Sequence, residues 1–142
     1  MDNYSKFYSP LVLKHVSNPH NMGRIRNPDG EATVGNPICG DIMKFYIRIE
    51  KRLGVEYLKD VKFQTLGCGA AIATSSILTT LVKGKSIKEA RKISKSAIVN
   101  ALGGLPPTKI HCSLLADDGL KKAITNYLTK RIQTTKVRDM SV

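Results

Sequence analysis

The 142-residue chain reads as an α+β protein. It is expected to form one domain over residues 1–142, with a small antiparallel sheet of about three strands packed against several helices. Three observations predict this. Met43, Phe45, Ile47 and Ile49 alternate with Lys44, Tyr46, Arg48 and Glu50, and Val61, Phe63 and Thr65 alternate with Asp60, Lys62 and Gln64. Period two marks two strands, each with one wet face. Apolar residues recur at helical spacing before and after these strands instead of between them, which argues against a parallel α/β sheet.

Taken in order, Tyr4 to Val16 reads as a helix on Tyr8, Leu11, Val12 and His15. "SNPHNMGRIRNPDGEA" is dense in Asn, Pro and Gly and reads as loop, with His15 and His20 as surface or loop histidines without a role. "EATVGNP" adds a short third strand. Gly54 lies between the two long strands, so they read as a hairpin with a longer loop. A helix follows from Ala70 to Val82 and stops at Gly84. Ser86 and Glu89 form a capping box for another. "LGGLPP" ends that material, and Pro107 permits a new start near Lys109 or Ile110. Leu114, Leu115, Ala116, Ala123, Ile124 and Leu128 carry its apolar stripe to about Arg131, after which the tail is expected to fray.

The formal charge of +12 favours acidic partners. The basic residues are spread over Lys44 to Lys62, Lys83 to Lys95 and Lys121 to Arg138 without interleaved aromatics, which argues against nucleic acid. Part of this surface is expected to dock an acidic face of a partner. No window approaches a membrane span, and the polar start "MDNYSKFYSP" lacks an apolar leader core. A reducing cytoplasm is therefore expected, where cysteines serve as ligands, nucleophiles or core fillers.

The three cysteines all fall at element ends. Cys39 precedes the first long strand in "GNPICGD", Cys68 stands between the second and a helix in "TLGCGAAIA", and Cys112 lies in the first turn of the last helix in "KIHCSLLA". Helix N-termini carry partial positive charge, so Cys68 and Cys112 are both expected to favour the thiolate. Gly67 and Gly69 leave room around Cys68 for something large to approach. Asp41 follows Cys39 across Gly40, and His111 precedes Cys112. Three thiolates plus one oxygen or nitrogen donor suit a tetrahedral zinc ion or an iron–sulfur cluster. Taken alone, Asp41 also reads as a turn cap and His111 as a helix-start residue. Two other patterns fail: "GCGAAI" lacks the third glycine and the βαβ unit of a dinucleotide site, and no CxxC pair exists.

"YSPLVLKHVSNPHNMG", "GNPICGDIM", "TLGCGAAIATSS" and "LPPTKIHCSLLADDGLKKAI" together resemble the IscU/NifU N-terminal family of iron–sulfur cluster assembly scaffolds, from about Tyr4 to about Leu128. The resemblance implies a carrier without turnover of its own, with its cluster site at one exposed tip. Such a carrier takes sulfur from a cysteine desulfurase and electrons from a ferredoxin-type donor. It gathers Fe2+, builds a [2Fe–2S] cluster and passes it to apo-proteins. It implies Cys39, Cys68 and Cys112 as cluster ligands, completed by Asp41 or His111, and Cys112 as the persulfide acceptor. Zn2+ can occupy the cluster-free site in this family. Leu105 to Lys109 resembles the segment bound by an Hsp70-type chaperone, with Thr108 where the familiar form has Val. A monomer would present a half-buried cluster and a homo-oligomer would enclose one; both stay open. A sister group, the SufU-like zinc-bound sulfur acceptors that activate a desulfurase, usually lacks the histidine and carries an insertion. His111 and the uninterrupted "VKGKSIKEARKISKSAIVNALGG" favour the scaffold.

Overall fold

The computed structural model describes residues 8–36 and 40–140, and of Asn36 and residues 133–140 the backbone alone. Cys39 therefore lies outside the described residues, as does the start of the expected first helix. Within them that helix, α1, spans Pro10–Ser17. Ser9 caps it, its Oγ accepting from Val12 N–H at 3.1 Å, and Pro10 takes the first position, where a missing N–H costs nothing.

Three strands follow: β1 Gly30–Asn36, β2 Asp41–Arg52 and β3 Val55–Leu66. They pair antiparallel in the order β1-β2-β3. The two long strands run further than their alternation shows, and they join through Leu53 and Gly54 alone, both at positive φ. The expected longer loop is thus a two-residue turn. A register shift at Arg48/Ile49 marks a bulge, and Asp29 Oδ2 accepts the Ile49 N–H there at 2.7 Å.

The inward set is the one that the alternation picks out. Met43, Phe45 and Ile47 of β2 and Val61 and Phe63 of β3 are fully buried. Phe45 and Phe63 are register partners with ring centroids 6.4 Å apart, and each stabilises the fold by about 1.5–3 kcal/mol through burial. Helix α2, Gly69–Val82, packs over β3, and α1 packs on α2. Loop residues close the outer edge of β3: Asn21 and Gly23 exchange backbone bonds with Phe63, and Gly84 and Lys85 do so with Leu58.

Two short helices follow, α3 Ile87–Ala90 and α4 Lys95–Ala101. Ser86 caps α3, its Oγ accepting the Glu89 N–H at 3.1 Å and donating to Glu89 Oε1 at 3.0 Å, which supplies the first of the two bonds of the expected capping box. Pro107–Lys109 form one 3-10 turn, and α5 then spans Ile110–Met140 against β1 and β2. The helix runs past Arg131 to Met140, and no Gly or Pro interrupts that stretch. Among the described residues no helix is long and apolar enough to cross a membrane.

Candidate functional site

Asp41 opens β2 directly after Gly40, whose φ of +79° makes the turn. Ile42 pairs with Leu66, so the register carries Asp41 alongside Gly67 and the start of α2. Cys68 is the N-cap residue of α2, yet its side chain makes no cap bond; its carbonyl accepts from Ala71 N–H at 3.0 Å and Ile72 N–H at 3.3 Å. The thiol is thereby left to face the neighbouring elements. The 3-10 turn and the first turn of α5 bring His111 and Cys112 to the same place.

The four side chains converge. Asp41 Oδ1 accepts from the Cys68 N–H at 3.3 Å, and Oδ2 lies 3.3 Å from His111 Nε2 and 3.5 Å from Cys112 Sγ. The two sulfurs are 3.9 Å apart, and Cys112 Sγ is 3.6 Å from His111 Nε2. Donor atoms of Asp41, His111 and Cys112 all lie within 4.8 Å of one another. Neighbours on a helix do not ordinarily face each other, yet His111 and Cys112 meet because both reach for one carboxylate. Asp41 and Cys112 are buried, Cys68 is half-buried and the His111 side chain is 42% exposed. The tip is closed beneath and open at the histidine.

His111 Nδ1 stands 3.1 Å from the Thr108 carbonyl. A carbonyl only accepts, so Nδ1 carries the proton and Nε2 is turned toward Asp41. A bare lone pair there would face a carboxylate oxygen; a proton or a metal cation must lie between them. Fixing the ring through a backbone carbonyl is how metal-binding histidines are oriented. The donor set thus fits zinc or cluster iron.

The two thiols divide one proton unequally. Cys68 is held down to about 5, first by the hydrogen bond from Cys112, then by the Ala71 N–H, with Lys109 adding positive charge; burial and Asp41 oppose this. Cys112 is pushed up, first by donating to Cys68, then by burial and by the negative charges of Cys68 and Asp41. The expectation that both helix-start thiols favour the thiolate therefore holds for Cys68 and not for Cys112. Lys109 lies near Cys68, whose charge raises the lysine's pKa. Its place in the chaperone-like segment hid this role; its spacing two residues before His111 was the available signal.

Of the two glycines bracketing Cys68, Gly67 meets a packing need inside the site. A Cβ on Gly67 would stand 2.5 Å from Asp41 Oδ1, whereas one on Gly69 would meet Val16 Cγ2 at an ordinary 3.4 Å. Gly67 makes room for the carboxylate. His15 is likewise not a surface residue: it is buried with Nδ1 2.7 Å from Ser76 Oγ, and its ring lies 4.8 Å from that of His20.

Residues 7–134 match the NifU-like N-terminal domain family. The iron–sulfur cluster assembly scaffold protein IscU 1 of Archaeoglobus fulgidus is 48% identical over 135 residues, covering 95% of this chain and 86% of that protein. The iron–sulfur cluster assembly scaffold protein IscU of Buchnera aphidicola is 48% identical over 128 residues, covering 88% and 98%. In fold, the N-terminal NifU-like protein of Brucella abortus superposes with a TM-score of 0.63 at 21% identity, over 86% of this chain and 94% of that one. By sequence along nearly its whole length, and by the three-stranded sheet and helices it shares, the chain belongs to the NifU-like N-terminal domain family.

Proposed function

We propose that this chain is a scaffold on which a labile [2Fe–2S] cluster is assembled from iron and desulfurase-derived sulfur and from which it passes to apo-proteins. The observation that carries the reading is the convergence of Asp41, Cys68, His111 and Cys112 at one partly open tip. Cys39 joins them as the third thiolate ligand, two residues before Asp41 in sequence. The fourth ligand is Asp41 or His111. Asp41 is a hard donor that holds cluster iron less firmly than thiolate, which suits a cargo that must leave.

Sulfur enters on Cys112. Its thiolate attacks the outer sulfur of a desulfurase persulfide; the S–S bond to the desulfurase breaks and that enzyme's cysteine leaves as thiolate, with no net redox change. Two electrons from a ferredoxin-type donor then reduce the transferred sulfur to sulfide. Cys112 is buried and protonated beside Cys68, so docking of the desulfurase must open the tip, and Asp41 or His111 takes the proton. Zn2+ fills the same donors when no cluster is present. The segment Leu105–Lys109, exposed at Pro107 and Thr108, serves as the Hsp70-type chaperone's handle.

Anaerobic reconstitution with iron, cysteine and a desulfurase tests this. Visible charge-transfer bands with matching iron and sulfide, lost on transfer to an apo-ferredoxin, are expected, and an Asp41→Ala protein should hold its cluster longer. A colourless protein with one zinc that still stimulates the desulfurase would overturn it in favour of a sulfur acceptor.

A further inference from the structure

We propose that a cleft at the end of the sheet remote from the cysteines docks an acidic peptide segment of a partner protein, one carrying a bulky apolar side chain. The twelve residues of β2 separate Asp41 from the β2–β3 turn, roughly 40 Å at the rise of an extended strand, so this surface stands apart from the cysteine tip and from the reading given to it. The cleft is formed where the start of β3, α3 and the middle of α5 meet, and it encloses about 630 Å³. Val55, Ile87 and Leu128 supply its apolar lining; Lys88 and Arg91 supply its charge. Its one lining carboxylate, Glu56, is engaged by the Tyr127 hydroxyl and the Arg131 guanidinium. Among the described residues Lys88 and Arg91 have no ion-pair partner.

A second observation concerns Leu53, at the tip of the turn that leads into the cleft. It is fully exposed and its φ is +51°. A branched apolar residue is strained in that region, where Asn or Gly is the usual choice, and full exposure returns nothing for it in the free molecule. Strain and exposure without internal compensation point to a use outside the molecule. Charge selects the occupant. A second copy would bring the same basic cleft and a +12 chain against it, which repels. A concave surface with an apolar lining also suits an extended chain that inserts a side chain better than it suits a flat bilayer.

The test is to pan a random peptide display library against the immobilised full chain, then measure the enriched peptides by fluorescence anisotropy at low and high salt. Peptides with several Asp or Glu around a Leu or Phe are expected, binding about tenfold more weakly to a Lys88→Glu/Arg91→Glu double variant and more weakly at high salt. Leu53→Asn should raise Tm yet weaken the same peptides. Zinc binding at the cysteine tip, measured alongside, reports that each variant is folded. Failure to enrich any acidic peptide, or equal binding by the charge-reversed variant, would overturn the proposal. So would Leu53-dependent binding to phosphatidylglycerol vesicles with no peptide enriched, which would assign the surface to membranes.

Discussion

At the scale of single residues, the site depends on two contacts. The first is between Gly67 and the Asp41 carboxylate. A methyl group at Gly67 would sit 2.5 Å from Oδ1, so Gly67→Ala must push the carboxylate away from the Cys68 N–H and from His111. Disturbing the groups that hold a metal site's donors in place typically weakens metal binding by about 10- to 100-fold. Zinc affinity by chelator competition is expected to fall by that factor in a protein that melts normally. Gly69→Ala, whose Cβ meets only Val16 and Tyr8 at ordinary distance, should leave zinc affinity unchanged. Equal affinities in all three proteins would refute the assigned role of Gly67. The second contact is the sulfur pair. With Cys39→Ser as background, alkylation of the reduced, metal-free protein should occur at Cys68 with a midpoint near about 5, while Cys112 stays unreactive. Cys112→Ser or Cys112→Ala separates the causes. The hydroxyl still donates to Cys68, whereas alanine removes the largest stabilising bond, so the Cys68 midpoint should climb further in the alanine protein.

At the scale of elements, α5 positions half of the site and lies on the sheet through glycine. A Cβ on Gly119 would stand 2.8 Å from Phe45 Cδ2 and 2.9 Å from Val34 Cγ2, so the helix can approach β1 and β2 this closely only without it. In an isolated helix Gly→Ala gains about 1 kcal/mol, but overpacking a core costs about 1–3 kcal/mol. Gly119→Ala should therefore lower stability by up to about 2 kcal/mol in chemical denaturation, against its helix propensity; a stabilised variant would show that α5 can move away freely. This close approach marks where sequence reading runs out. The alternation of Met43, Phe45 and Ile47 with charged neighbours states which face is inward, and "GCGAAIA" states where a helix begins, so strands, helices and the helix-start cysteines are all legible. The two-residue turn was not, because Leu53 occupies a position whose chemistry calls for Asn or Gly. The tightness at Gly67 and Gly119 is set by residues distant in sequence, Asp41 and Phe45, and leaves no local trace. His15 carried the same ambiguity: its helical spacing with Val12 is visible, but its partner Ser76 comes from α2.

At the scale of the whole molecule, that histidine clamps α1 and the following loop onto α2, the helix that presents Cys68. Ser76 Oγ accepts the His20 backbone N–H at 2.8 Å, and His15 Nδ1, at 2.7 Å, is the acceptor within reach of its own hydrogen, which assigns Nδ1 as unprotonated. Asn21 Nδ2 donates to Thr79 Oγ1 beside it, and Asn21 also pairs with the β3 edge. Protonating Nδ1 would end the Ser76 donation and place a charge in a buried site next to His20 and Lys14. Accordingly the His15 pKa is lowered, first by burial, then by His20 and Lys14. The unfolded chain, whose histidine titrates near about 6.5, then binds the proton more readily than the native one. The stabilisation is present above that value and is lost as pH falls below it, at up to about 1.4 kcal/mol per pH unit for one proton. Thermal melts should show Tm falling between about pH 7.5 and about pH 5.5; Cys68, a thiolate in the native chain and a thiol in the unfolded one, adds a fall of the same sign, so the chain and its His15→Gln variant are compared on a Cys68→Ser background. His15→Gln, which cannot titrate, should lower Tm at neutral pH but flatten the dependence. Parallel pH profiles for the two proteins would place the acid sensitivity elsewhere. A flattened profile would make α1 the first element to loosen in acid, and with it the support beneath the helix that starts at Cys68.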